Sequence, residues 1–458
     1  MKKRSNVLFY IITMSGLLAL IFFVLNAGKR LEQVRAGDVR PARSTLAGST
    51  DALHHPLAVF IMQVAVVIVA ARLCSLLFRK IGQPAVMGEI IAGILLGPSL
   101  LGAVAPKFSA FIFPTASLGN LQMLSQIGLI LFMFVIGMEL DLDILKKKAG
   151  AAVVISHASI IFPYGLGVAL SYFLYETFVP AGIQFFAFAL FMGITMSITA
   201  FPVLARIIRE RGLTNTRLGT IAITCAAADD ITAWCLLAIV IAVVKAGTAG
   251  ASLYILLFAL LYVAVMFFAV RPLLKRILSH KPESKLVQRS TLALIFIIML
   301  LSAWCSEVIG IHALFGAFVA GVIMPNNWDF RKLMINKIED VALVLLLPLF
   351  FVFTGLRTQV GLLNDASLWL TCLLIIVAAV AGKFGGSALA ARYTGETLKD
   401  SLSIGALMNT RGLVELVVLN IGYDLGVLSP QVFTMLVIMA LVTTFMTNPL
   451  LDLINRMK

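Results

Sequence analysis

Charge is what this sequence has least of. Only 13% of its 458 residues are Asp, Glu, Lys or Arg, and 60% are hydrophobic; a soluble globular chain carries about a quarter charged residues. Together with a mean hydropathy of +1.02, this excludes a water-soluble globular domain and indicates an all-α polytopic membrane protein. Histidine is sparse as well. The five (His54, His55, His157, His280 and His312) are scattered without ligand spacing, which excludes a metal site beyond a seat for a monovalent cation. The five cysteines (Cys74, Cys225, Cys235, Cys305 and Cys372) fall in or beside apolar runs without CxxC spacing. They are small lipid-phase hydrophobes and not a disulfide framework or a zinc site. No basic domain stands apart from the apolar runs, so the net charge of +14 does not mark a nucleic-acid partner. No cofactor is expected.

What the sequence does have is apolar length. A first run, residues 6–25, follows a basic start and reads as an uncleaved helix or a signal sequence (1–27), with a polar external linker over 28–55 after it. Thirteen further runs follow, near 56–77, 84–101, 118–139, 149–175, 182–206, 218–244, 251–270, 290–309, 311–325, 341–356, 367–390, 402–421 and 431–450. They form one membrane domain over 56–452, and 453–458 is a short tail. Basic clusters alternate between them: Arg79 with Lys80, Lys146–Lys148, Arg206–Arg217, Arg271–Arg289, Arg331–Lys337, Arg392–Lys399, and Arg456 with Lys458. If every run spans, these loops share one side with the N-terminus, which predicts cytoplasmic termini in a bacterial plasma membrane. The arginines of the 28–55 linker run against that rule.

Two runs are short and glycine-rich, and they match each other. Ala85–Leu96 aligns with Ala313–Met324 at an offset of 228, pairing Gly88 with Gly316 and Gly93 with Gly321. Phe132–Glu139 then aligns with Phe350–Arg357 at an offset of 218, pairing Gly137 with Gly355. The matched segments lie an odd number of runs apart, so the copies have opposite topology. This predicts inverted repeats over about 56–245 and 290–450, an architecture of secondary transporters.

At the centre of the 218–244 run stand two adjacent acids, Asp229 and Asp230. A single Asp at a helix centre costs roughly 2.5–3.5 kcal/mol on insertion scales, so each marks a functional site unless something neutralises it. The run before it carries Pro202, which removes a backbone donor and crowds the carbonyl of Ile198; the helix is predicted to break around Ser197–Phe201. At the matching repeat position, Asn409, Thr410, Arg411 and Gly412 interrupt an apolar run, with Glu415 beyond them. Two broken helices there would aim half-helix dipoles at a midplane site. Lys383 lies inside the 367–390 run among Gly382, Gly385 and Gly386. It either snorkels to the interface or pairs with an aspartate on a closely packed neighbour. Glu89, Glu139, Glu307 and Arg357 are expected to face the bundle or the interface. An intramembrane aspartyl protease needs two facing carboxylates, and neighbours on one helix diverge by about 100°. A channel of the same fold is the remaining rival, distinguished by whether flux proceeds against a gradient.

These segments resemble the monovalent cation:proton antiporter-2 family. The resemblance runs through Gln83–Pro98, Leu131–Asp141, Phe201–Ile208, the Asp229–Asp230 pair, Gly382–Lys383 and Asn409–Gly422, and covers roughly 56–452. Phe201–Arg206 and Asn409–Leu416 look most like the plant and bacterial cation/proton exchanger branch. The resemblance implies a thirteen-span fold with crossed discontinuous helices, a dimerisation domain and a core domain, plus the extra first helix here. It implies a homodimer that exchanges protons for Na+ or K+ across the bilayer. Asp230 is then similar to the cation and proton carrier, Asp229 to the aspartate that pairs with Lys383, and Thr199 to the residue by which the broken helix approaches the ion. An Asp-Asp pair with a lysine resembles the electrogenic members, whereas the plant relatives usually lack the first aspartate. No nucleotide-binding regulatory module is expected after the last run.

Overall fold

The computed structural model describes residues 55–457 apart from 140–148, 214–215, 247–248, 280–288 and 326–327, with a few positions between 15 and 26. The expected first helix and the 28–55 linker lie essentially outside the described residues, as do the Lys146–Lys148 loop and Asp141.

Among the described residues from 55 onward every regular element is helical, and helices occupy each of the thirteen apolar runs. In chain order they are α1 (Pro56–Lys80), α2 (Ala85–Leu96), α3 (Leu118–Glu139), α4 (Ala149–Phe178), α5 (Phe185–Ser197) and α6 (Phe201–Glu210). Next come α7 (Arg217–Ala246), α8 (249–279), α9 (Arg289–Ile309), α10 (Ala313–Val322) and α11 (328–357). The last are α12 (366–393), α13 (Leu398–Met408), α14 (Leu413–Asp424) and α15 (Pro430–Arg456). Each of α8, α11 and α12 contains one π-helical turn, at Met266–Val270, Ala342–Leu346 and Ala381–Gly385. Ten described spans are long and apolar enough to cross a membrane, or eleven if the bent pair α13 and α14 is one. The chain is a multi-pass integral membrane protein.

Burial sorts the helices. α1, α8 and α9 leave most of their apolar surface outward, as lipid-facing helices do. The described residues of α5, α10 and α14 are buried almost all round. A short apolar helix enclosed on every side needs protein neighbours and no lipid. Non-helical backbone next to such helices is therefore shielded from hydrocarbon, the condition under which a broken span is stable.

Glycines set the closest helix crossings. A Cβ at Gly93 would fall 2.3 Å from the Val352 carbonyl oxygen and 2.8 Å from the Gly355 Cα, so α2 and α11 meet backbone to backbone. A Cβ at Gly137 would fall 2.2 Å from the Phe318 carbonyl oxygen and 3.0 Å from the Gly321 Cα, joining α3 to α10 in the same way. Small residues let helices pack at this distance in a bilayer, where no hydrophobic drive operates between them.

Candidate functional site

The first helix break meets α7, Thr199 reaching Asp229, and the second break crosses the first. α5 ends at Ser197, Ile198–Ala200 are extended, and α6 begins at Phe201 with Pro202 in its first turn, where a missing N–H costs nothing. α13 ends at Met408, and α14 begins at Leu413 after the interruption at Asn409–Gly412. The two breaks are hydrogen-bonded to each other, Ala200 N–H donating to the Thr410 carbonyl at 3.0 Å.

Residues far apart in sequence satisfy what the breaks leave open. Arg411 donates to the carbonyls of Thr195 (2.8 Å) and Met196 (2.6 Å) at the end of α5, and to Glu415 Oε2 at 2.6 Å. Lys383 Nζ donates to the next carbonyl, that of Ser197. Two cations thus sit on the last turn of α5, where the helix dipole is negative. Thr444 of α15 accepts from the Arg411 amide at 3.1 Å and donates to the Arg411 carbonyl at 2.7 Å. Thr447 contacts the Thr410 hydroxyl at 3.2 Å, and Asn409 Nδ2 reaches the Thr443 carbonyl at 3.5 Å.

The two aspartates differ sharply in their surroundings, although both are buried, at 0% and 1% exposure. Asp229 is saturated. Its Oδ1 accepts from Ser156 Oγ at 2.6 Å, and its Oδ2 accepts from Ser159 Oγ at 2.5 Å, Thr199 Oγ1 at 2.7 Å and Lys383 Nζ at 3.1 Å. Neither Oδ1 nor Oδ2 of Asp230 has a hydrogen-bond partner. The Phe201 amide, at the start of α6, is the backbone donor that approaches it. Consecutive helical residues point about 100° apart, which is why α4, α12 and the extended segment after α5 engage one acid and leave the next open. A buried charge without a partner is unstable, so Asp230 in this arrangement is suited to hold a proton or a bare cation.

The structure therefore brings together Asp229, Thr199, Ser197 and Lys383, with Asp230 one residue along α7. Lys383 is fully buried in an ion pair with Asp229 and does not snorkel. Arg411 and Glu415 form a second buried pair beside the first. Pro202 and Gly412 shape the breaks. The other in-membrane charges lie elsewhere. Glu89 is buried beside Ser75 Oγ (3.3 Å), and Glu139 is exposed at the end of α3. Glu307 accepts from the Ala313 amide at 2.7 Å, and Arg357 pairs with Asp424 at 2.8 Å. Among the described residues no His, Cys, Asp and Glu cluster could hold a metal ion.

Sequence reasoning missed Ser156 and Ser159, as well as Thr443, Thr444 and Thr447. Their spacing at i, i+3 or i, i+4 puts them on one helix face, but such hydroxyls commonly bond back to their own helix, so the spacing does not single them out. His312 was also passed over. It has φ 82° and caps α10, its ring accepting from the Leu314 amide.

A family model described as "Sodium/hydrogen exchanger, transmembrane" matches residues 66–453. The Na(+)/H(+) antiporter NhaS4 of Synechocystis is 45% identical over 395 residues, 86% of this chain and 96% of that one. The cation/H(+) antiporter 17 of Arabidopsis thaliana is 43% identical over 87% of this chain, and the K(+)/H(+) antiporter 1 of Saccharomyces cerevisiae 34% over 87%. The chain spans about half the length of these two, 48% and 46%. The sodium proton antiporter MjNhaP1 of Methanocaldococcus jannaschii shares the fold at a TM-score of 0.65, with 14% identity over 88% of this chain and 99% of that one.

Proposed function

This chain belongs to the sodium/hydrogen exchanger family, and we propose that it is a secondary antiporter exchanging protons for a monovalent cation, Na+ or K+, at Asp230. It is a transporter and not an enzyme. The observation that carries the assignment is the contrast between the adjacent acids: Asp229 accepts from four side-chain donors, while Asp230 accepts from no side chain and is approached by the Phe201 amide. A carboxylate with free lone pairs beside unwound backbone can take a proton or a cation, and not both tightly.

Occupancy by either neutralises Asp230 and lets the carrying helices move past the membrane barrier, whereas a bare carboxylate in low dielectric resists that movement. Binding competes, access alternates, and exchange follows. Thr199 and Lys383 hold Asp229 as a fixed anion at the edge of the seat. The Asp229–Asp230 pair with Lys383 resembles the arrangement of the electrogenic members, and we read the exchange as electrogenic on that resemblance.

The crossings Gly93–Gly355 and Gly137–Gly321 support the inverted-repeat reading, because Gly93 and Gly321 are matched positions, as are Gly137 and Gly355. Each copy thus contributes one member of each crossing. We therefore read 56–452 as one exchanger domain of thirteen crossings, in which α5 with α6 and α13 with α14 are broken spans. The basic loops favour cytoplasmic termini in a bacterial plasma membrane, and the lipid-facing α1, α8 and α9 leave apolar surface for a homodimer.

The test is cation-driven proton movement in proteoliposomes loaded at acid pH, on addition of sodium and then potassium. Asp230→Asn is expected to abolish it for both ions. Full exchange by Asp230→Asn would remove the residue from the mechanism, and flux without a countertransported proton would favour the channel.

A further inference from the structure

α4 runs unbroken from Ala149 to Phe178 although Pro163 lies inside it. Proline has no N–H to give to the carbonyl four residues back, and here that carbonyl belongs to Ser159. It is not left bare: Lys383 Nζ donates to the Ser159 oxygen at 2.9 Å. The same ammonium donates to the Ser197 carbonyl and to Asp229 Oδ2. An ammonium has three donors, and these three nearer acceptors match them, with the Ser159 hydroxyl oxygen farther off at 3.5 Å. The packing is built around the contact. A Cβ at Gly382 would lie 2.7 Å from the Pro163 Cα, so α12 abuts the proline directly, and its π-helical turn Ala381–Gly385 contains Lys383. Ser159 faces the site twice, its carbonyl toward Lys383 and its hydroxyl toward Asp229.

We infer that Pro163 is a positioning residue for exchange: by withholding an N–H from the Ser159 carbonyl, it reserves that oxygen for Lys383 and holds the ammonium on the Asp229 side of the site. The inference rests on the proposed exchange at Asp230. An ammonium that must share the Ser159 oxygen with a restored helical hydrogen bond is held less strongly there, and it has an alternative one residue along α7, since neither Asp230 oxygen accepts from a side chain. There it competes with the incoming cation. The unused backbone acceptor created by the proline is thus what keeps the protein's own cation out of the seat.

The experiment compares three reconstituted proteins: wild type, Pro163→Ala, and a chain with lactate, the α-hydroxy acid, in place of Pro163. Alanine restores the N–H, while lactate lacks both the ring and the N–H. Pro163→Ala is expected to raise the half-saturating cation concentration by about threefold or more, the scale of one hydrogen bond, with the maximal rate within about twofold. The lactate chain is expected to keep the wild-type half-saturation. Unchanged half-saturation in Pro163→Ala overturns the inference, and so does a lactate chain that matches Pro163→Ala, which would assign the effect to the ring. If Pro163→Ala yields no monodisperse protein, the α-hydroxy analogue of Ile160 takes its place, because the resulting ester weakens the Ser159 carbonyl as an acceptor. Raised half-saturation then supports the inference and unchanged half-saturation overturns it. Absence of exchange in the wild type overturns the functional reading together with this one, whereas wild-type exchange with an indifferent Pro163→Ala overturns this one alone.

Discussion

Ala200 donates its backbone N–H to the Thr410 carbonyl at 3.0 Å. One hydrogen bond thus joins two helix breaks more than two hundred residues apart in the chain. Each group would otherwise be an unpaired backbone dipole at membrane depth, at a cost of several kcal/mol. The crossing is therefore a mutual solution, in which each break supplies what the other lacks.

The crossing leaves no room at Gly412, where a Cβ would lie 2.8 Å from Val203 Cγ2 and 3.1 Å from the Ala200 Cβ. Gly412→Ala is expected to lower the maximal exchange rate several-fold, and Gly412→Val to lower it further, with a stability loss of about 1–3 kcal/mol from overpacking. Initial rates in proteoliposomes and melting curves in detergent check this. A wild-type rate for Gly412→Val would show that the crossing tolerates displacement.

The adjacent acids should separate stability from transport. Asp229→Asn leaves Lys383 buried without its anion and replaces one of the two carboxylate oxygens that accept the Ser156, Ser159 and Thr199 hydroxyls with an NH2 donor, so a loss of about 3–5 kcal/mol is expected. Asp230→Asn deletes no existing hydrogen bond, and its melting temperature should equal or exceed that of the wild type. Thermal unfolding of the two purified variants at one pH decides the matter; equal destabilisation would contradict the asymmetry.

Arg411 and Glu415 form a pair with neither side chain exposed to solvent. Arg411→Met strands Glu415 and two α5 carbonyls, while Glu415→Gln keeps a hydrogen-bond acceptor. Arg411→Met should therefore be the more destabilising, by about 3–5 kcal/mol, and adding Glu415→Gln to it should recover part of that loss by removing the unpaired charge. A double-mutant cycle on melting measures the coupling, and strict additivity would show that the two residues act independently.

Much of this was legible in the chain. The break expected at Ser197–Phe201 and the extended segment Ile198–Ala200 coincide because Pro202 acts locally, on its own backbone. The interruption at Asn409–Gly412 is legible for a similar reason, since polar residues and glycine in an apolar run stand out against a uniform background. Other parts were silent. Ser156, Ser159 and Thr444 resemble the many hydroxyls that bond back to their own helix, and nothing in their spacing marks them as partners of α7 or of the second break. Pro163 carries no local mark in the sequence, because its effect depends on which side chain reaches the Ser159 carbonyl. Lys383 supported two readings because its depth depends on which helices surround α12.

Where helices lie and where they break could be read from the residues alone, because desolvation and backbone hydrogen bonding act segment by segment. Which of two neighbouring aspartates is left open could not. The four groups that saturate Asp229 come from positions 73, 70, 30 and 154 residues away. Only the packing of α4, α12 and the break after α5 against α7 brings them to one carboxylate, and that packing leaves the adjacent one without a side-chain donor.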